Sequence, residues 1–410
     1  MIKVYLATVF ATAIIASSSW SQMQTNSYDS IEYNHQIILN GTCDYSASGI
    51  ENGITSKFVR GGFIDDQMKD ASFDKHGAIN RVGVDLSGEL IYRNFRTNIF
   101  KNKNWGMQFQ GGYYTFGGAL YSKDLYGLAF YGNEGYVGDT MNMSGSDFSL
   151  VSFQKIGFGL VDAKSKSSVI LNVYNISNRV SVDFRDLEIA QSADGMNVDL
   201  LMDGEVEMGQ NNKFSQGIGF GFDVDFRLTV AWYKKRDAKI QFMAKNIGFG
   251  YMHESQKRYS FDTTFNYSGF KFEQIIGDNA ILADSINLLD TLGIHSIDVN
   301  PVFMLPGYLQ VGKMIDNNSE YKLQSFFGVR VYPSLIYSPY IFAGANYKPL
   351  DWLNVGASVS YGGFAGLRAG LYSNLSFDKF KMGIGTDNFI GMVSKKGNGQ
   401  SLYLKLQCTI

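Results

Sequence analysis

The residues best able to move protons or hold a metal are four histidines, His35, His76, His253 and His295. No two stand at a His-x-x-x-His spacing, so no helix face offers a paired ligand site. A serine–histidine–acid array can assemble in space, but no local pattern picks one out. The Gly-x-Gly run over residues 217–221 lies within a strand pattern rather than ahead of a helix, which fails the context that dinucleotide binding needs. Cys43 and Cys408 read as two unpaired small hydrophobes: Cys408 falls on an apolar face, and Cys43 precedes the first strand expected in the wall. No enzyme site, cofactor or metal is therefore expected. The charges with a regular spacing are Arg81, Asp85, Glu89 and Arg93, four apart, and Asp223, Asp225 and Arg227 on alternate positions. In a strand each set points to one side. Facing a lumen, they form either a polar conduit and plug-docking surface or a salt-bridge ladder that stiffens the wall.

The elements that carry these charges are long strands. Over residues 217–232 the even positions are Ile218, Phe220, Phe222, Val224, Phe226, Leu228, Val230 and Trp232, while the odd positions are glycine, alanine, threonine or charged. A strand separates such a pattern onto two faces and a helix does not. At about 3.3 Å per residue the run is roughly 50 Å long before tilt, far beyond the ordinary strand of about 5–6 residues. Residues 81–93 repeat the pattern with Val82, Val84, Leu86, Leu90 and Tyr92 opposite the four charges, Ile91 being the exception. At the C-terminus Leu402, Leu404, Leu406, Cys408 and Ile410 oppose Tyr403, Lys405, Gln407 and Thr409. An amphipathic last strand resembles the terminal signal read by barrel assembly machinery, here with Ile410 in place of the usual aromatic.

Composition and ends agree. The chain has 31 Phe, 25 Tyr and 45 Gly against 5 Pro, which suits long ladders that lose a donor at each proline. Lys3, the apolar stretch 4–16 and the small residues Ser19 and Ser21 form an export signal, with cleavage expected before Gln22. Removing Lys3 takes the formal charge from −2 to −2 − 1 = −3, so no basic excess remains for nucleic acid. No later apolar run reaches the about 18 residues of a membrane helix.

The expectation is an all-β, closed antiparallel transmembrane barrel in an outer membrane. Candidate strands begin near residues 80, 105, 148, 167, 179, 214, 238, 307, 321, 339, 352, 366, 380 and 401, giving about 14, with about 12 or 16 as the neighbouring even counts. Residues 1–21 are the signal, 22–79 an irregular segment serving as plug or periplasmic rim, and 80–410 the barrel, interrupted by an insertion at 251–306. Short helices are expected near 65–71, 122–130 and 278–289. Tight turns at 234–237, 348–351 and 378–379 fall on the periplasmic side, with 251–306 and 387–400 outside.

Particular runs look familiar. Gly61-Gly62-Phe63-Ile64-Asp65-Asp66-Gln67-Met68-Lys69-Asp70, then Asn80-Arg81-Val82-Gly83-Val84, resemble the N-terminal part of a family of Bacteroidota outer-membrane barrels of unknown function. Asp124-Leu125-Tyr126-Gly127 and the run from Asn346-Tyr347-Lys348-Pro349 to Gly383-Ile384-Gly385 resemble the same family, and the latter also PorP/SprF-type barrels linked to type IX secretion and gliding. More remotely the architecture is similar to FadL-like barrels with internal plugs. The resemblance implies an envelope scaffold that binds secretion or envelope proteins, with a plugged transporter of small or hydrophobic solutes as the alternative. Outer-membrane lipid and the assembly machinery are the partners implied in either case.

Overall fold

The computed structural model describes residues 27–28, 34–96, 104–211, 213–232, 237–267 and 294–410. Fourteen strands form the wall. They are β1 (His35–Ala47), β2 (Ile79–Asn94), β3 (Trp105–Ser122), β4 (Ser146–Asp162), β5 (Ser168–Gln191), β6 (Gly217–Ala231) and β7 (Asp237–Met252). Then come β8, in two pieces (Val302–Met304 and Tyr308–Lys313), β9 (Leu323–Val331), β10 (Ser338–Leu350), β11 (Leu353–Gly363), β12 (Arg368–Ser376), β13 (Phe380–Thr386) and β14 (Gly399–Thr409). Each pairs antiparallel with its neighbour in sequence, and β14 closes on β1 from Gln36↔Thr409 to Ser46↔Gly399. Closure leaves no unpaired edge in the wall.

The alternation sorts as the sequence requires. On β6 Ile218, Phe220, Phe222, Phe226 and Leu228 are exposed on the outside while Asp223 is buried within. Ile156 and Phe158, Val169 and Leu171, Val311, Ile341 and Val359 continue the same apolar belt around the barrel. Such a belt is stable where lipid covers it.

Three expectations need correction. Residues 22–79 are not wholly irregular, because His35–Ala47 is a wall strand with buried Gln36, Ile38, Asn40, Thr42, Asp44 and Ser46 on its inner face. The unbroken run Ile37-Ile38-Leu39 hides its alternation. The separate strands expected near 167 and 179 are one strand, β5. The register against β4 shifts between Ser152 and Phe153, leaving Ser177 as an extra residue. A bulge of this kind reverses which positions face inward. The two errors cancel in the count but invert the direction of every strand before β5. The stretch 48–78 therefore shares an end with the long loops, not with the short turns. Nor is 251–306 wholly outside the wall, since Tyr251 ends β7 and Val302–Met304 belongs to β8. Between them Gln256–Tyr267 pairs with Val198–Gly209, itself paired to the far half of β5, so a sheet continues past the barrel rim. The helix expected at 278–289, the export signal and most of the turn at 234–237 lie outside the described residues.

Helices α1 (Asn52–Arg60), α2 (Asp66–Phe73), α3 (Lys123–Tyr131) and α4 (Phe389–Val393) all lie at the loop end. The side chains of Asp65 and Ser122 accept from Met68 N and Leu125 N, at 2.9 and 3.2 Å, and so start α2 and α3. Asn52 ties α1 to the last hairpin, donating to Gly391 O at 2.7 Å and accepting from Gly399 N at 2.7 Å. His76 locks the cap. Its Nδ1 lies 2.6 Å from Ser72 O, its Nε2 3.0 Å from Tyr121 Oη, and its ring stacks on Tyr126. The two cysteines sit on adjacent strands and form no disulfide, since Cys43 registers with Leu402 and Cys408 with Ile37, six rows apart.

Two predictions follow from this packing. Phe222→Arg places a charge in the lipid belt and should cost about 2–4 kcal/mol, whereas Thr229→Arg, on the other face, should cost clearly less. Folding titrations in lipid vesicles decide this, and equal costs would overturn the register. Burial holds His76 below its ordinary pKa, so the folded cap favours the neutral ring. Stability contributed by that preference is complete above the unfolded value of about 6.5 and is lost as pH falls through it. Amide protection factors in α1 and α2 should therefore drop between about pH 7 and pH 5, and His76→Gln should flatten that dependence.

Candidate functional site in the barrel lumen

Charged residues from opposite walls meet inside the barrel. Lys155 on β4 places its ammonium 2.6 Å from Asp223 Oδ2 on β6, 3.1 Å from Glu89 Oε1 on β2 and 3.0 Å from Asn246 Oδ1 on β7. Lys245 on β7 reaches Glu89 Oε2 at 2.6 Å. Tyr114 donates to Glu89 at 2.6 Å, and Gln110 and the Asn246 amide donate to Asp223, each at 2.7 Å. The Lys155 side chain is 0% exposed and that of Glu89 3%. β2 and β7 are not neighbours in the wall, so the Glu89–Lys245 pair spans the lumen and closes it at that level. Two cations against two carboxylates, with every carboxylate further hydrogen-bonded, is the balance that makes buried charge tolerable.

Toward the loop end the lumen is filled by rings. Tyr332 and Tyr337, from the β9–β10 loop, stack with Phe116 of β3 and Phe364 of the β11–β12 loop at centroid distances of 4.5–6.2 Å. Phe364 lies directly against Gly83 and Gly118 of the opposite wall, where an added Cβ would approach its ring to 2.3 and 2.5 Å. Charges at this level are again held. Arg368 Nη1 donates to Asp44 Oδ2 at 2.8 Å with both side chains buried, Tyr332 donates to Asp85 at 2.8 Å, and Arg330 donates to Gln310 at 2.8 Å.

Two cavities lie in the lumen among the described residues. One cavity of about 100 Å³ lies toward the turn end, and one of about 30 Å³ lies against Asp85, Tyr114, Pro306, Tyr308, Arg330 and Tyr332. Of the charges singled out in the sequence, Glu89, Arg93, Asp223, Asp225 and Arg227 line the larger cavity and Asp85 the smaller. Arg81 is apart from them, donating to Leu335 O at 3.3 Å at the loop end. Arg227 binds Asp225 within its own strand, and Gln241 also donates to Asp225 at 2.7 Å. The sequence reading missed Lys155, Lys245, Arg330 and Arg368. Lys155, Arg330 and Arg368 occupy inward positions of strands whose other inward residues are mostly aromatic or small, so no run of charge marks them, and Lys245 stands beside the bulge at Asn246 that breaks the alternation.

The histidines do not converge. His253 Nε2 is 3.3 Å from Ser215 Oγ, but its Nδ1 is 3.9 Å from Glu254, too far for the hydrogen bond that orients a catalytic imidazole. Glu254 is held instead by Lys213 at 2.7 Å.

The network makes a sharp prediction. Lys155→Met leaves Glu89 and Asp223 short of their shared cation and should cost about 3–5 kcal/mol. Adding Glu89→Gln and Asp223→Asn to that variant should recover a good part of the loss. Urea titration of the barrel in vesicles measures both, and a near-neutral single variant would show that the network does not support the wall.

A search of curated proteins gives no match. Among solved structures the chain is similar to the P. putida toluene transporter TodX, at 11% identity, covering 98% of this chain and 97% of that one, TM-score 0.38. It is also similar to the monoaromatic hydrocarbon channel CymD, at 8% identity over 93% and 89% of the two chains, TM-score 0.28. A mutant of Rh. blastica porin matches at 11% identity over 91% and 100%, TM-score 0.23. Residues 46–387 match the model of DUF5723, described as a family of unknown function, and the chain belongs to that family.

Proposed function

We propose that this protein is a gated transport barrel of the outer membrane for small, largely apolar solutes. The observation that carries this reading is a weak point in the wall beside an aromatic cavity. β7 and β8 are in register at Lys245↔Tyr308 and again at Phe249↔Met304. Between these rows Asn246 adopts a left-handed φ of 54° as a bulge, and Pro306 has no N–H to give. Gly307 N turns back to Leu305 O at 2.7 Å instead of crossing to β7. Pro306 lines the smaller cavity together with Tyr114, Phe116, Phe153 and Tyr332. A solute held among those rings has its shortest way to the bilayer through this gap. In the same reading the N-terminal segment is removed on export, the loop end faces outward, and the chain carries no catalytic site.

A second reading is a scaffold for envelope or secretion proteins, of the kind the PorP/SprF resemblance implies. It is supported by the cross-lumen ion pairs, which close the barrel, and by the sheet beyond the rim, whose described outer strand is His295–Val299 paired with Gln256–Ser260. The transport reading is preferred because a scaffold has no use for the gap in the ladder.

The test is uptake of a radiolabelled aromatic hydrocarbon by a porin-depleted host expressing the protein. Uptake should exceed the empty-vector rate. A Pro306→Val variant, which restores a donor to the ladder, should lower it severalfold at equal barrel abundance. Uptake at the vector rate, with a partner recovered stoichiometrically from native membranes, would replace transport by the scaffold.

A further inference from the structure

The exposed apolar surface does not stop where the wall strands stop. β13 ends at Thr386, and the buried Asp387 then accepts from Tyr340 Oη at 3.2 Å. Asn388 caps α4, its side chain accepting from Gly391 N at 2.9 Å. Of the helix residues Phe389, Ile390, Gly391, Met392 and Val393, the glycine is buried, and a Cβ added to it would run into Gly399 O of β14. The other four are exposed, Ile390 at 56% and Val393 at 69%. A helix that is apolar on every free side is at home against acyl chains and not in water. α4 packs on β12 and β14, which flank the short β13. These strands bring the lipid belt up to the same rim, through exposed Leu371 on β12, Ile384 on β13 and Leu367 just ahead of β12. The helix therefore continues the belt past the last ladder bonds.

Positive charge follows at once. Lys395 and Lys396 come directly after α4, and both are exposed. Their backbone is fixed against the cap, Lys395 O accepting from Gly53 N at 2.9 Å and Lys396 O from Lys75 Nζ at 3.0 Å. Lys75 also engages Glu51 at 2.6 Å, so that carboxylate is not left to balance Lys395 or Lys396. Apolar side chains bordered by ammonium groups suit the boundary where acyl chains meet anionic headgroups.

We propose that α4, with Lys395 and Lys396, is a docking site for a membrane lipid whose phosphate headgroup carries a net negative charge. The apolar residues of α4 lie among the acyl chains at their headgroup boundary, and the two lysines contact the phosphate as point charges. The site requires only the lipid belt of the wall. It is independent of the gap near Pro306 and of which way the loop end faces.

The experiment places a bimane fluorophore on Met392→Cys in a Cys43→Ala, Cys408→Ala background. The labelled barrel is put into phosphatidylcholine nanodiscs doped with acyl-brominated phosphatidylglycerol or, separately, acyl-brominated phosphatidylcholine. Both brominated lipids should quench the probe. At equal mole fraction the phosphatidylglycerol should be enriched at it by about fivefold or more, the size expected of one basic residue at an anionic surface. Lys395→Gln with Lys396→Gln should abolish this preference while quenching by phosphatidylcholine persists, which separates loss of the headgroup contact from loss of the fold. Quenching by aqueous iodide alone would show α4 in water. Shielding from iodide and from both lipids would show it covered by protein. Either result, or equal quenching by the two lipids, would overturn the proposal.

Discussion

The Lys155 ammonium is the group around which the barrel interior is arranged. A lysine with a fully buried side chain is expensive to remove from water, and only a carboxylate on each side together with a further acceptor makes it affordable. Those partners come from three strands, Glu89 on β2, Asp223 on β6 and Asn246 on β7. The interaction thus fixes the distance across the lumen as well as the charge balance. Its position is set by a departure from regular strand geometry. The bulge at Asn246 turns the backbone N–H of that residue to Asp223 and its side-chain oxygen to Lys155. A regular strand would send one of those groups into the wall ladder. The bulge that builds the network is also the one that interrupts pairing with β8, so the lumen charges and the weak point in the wall are a single construction.

Much of the fold was legible from periodicity, because a wall between lipid and a filled lumen imposes an apolar–polar alternation. β6 and β14 show this residue by residue. The failures have a physical source in each case. In β1 the inner face carries Ile38 between the outer residues Ile37 and Leu39, so the pattern reads as a continuous apolar run. In β5 the extra residue at Ser177 exchanges inner and outer positions partway along, and one strand of 24 residues reads as two. Direction alternates strand by strand, so a correct total still inverted the first strands, and the periplasmic rim offered as one place for 22–79 is the wrong end for it. The candidate site was legible only in part. Glu89, Arg93, Asp223, Asp225 and Arg227 lie in charged strands and were visible. Lys155 lies between Phe153 and Gly157 on the inner face of β4, where a lone lysine is easily taken for a surface residue.

The identity of the plug follows from the same accounting. The segments 22–79 and 251–306 were the candidates because they lacked alternation. Their described parts instead provide a wall strand, the rim helices and the sheet beyond the rim. The lumen is filled by short loops that looked unremarkable in sequence, Tyr332–Tyr337 with Ile336 buried, and Phe364–Ala365. Short loops can fold inward only where the opposite wall leaves room, and here it does so at paired glycines, Gly83↔Gly118. With Phe364 seated on those glycines, the loop-end half of the lumen is packed with aromatic rings around the buried Arg368–Asp44 pair, while the larger cavity lies in the turn-end half. A small glycine pair on one wall therefore decides where the ring of an inward-folded loop can seat.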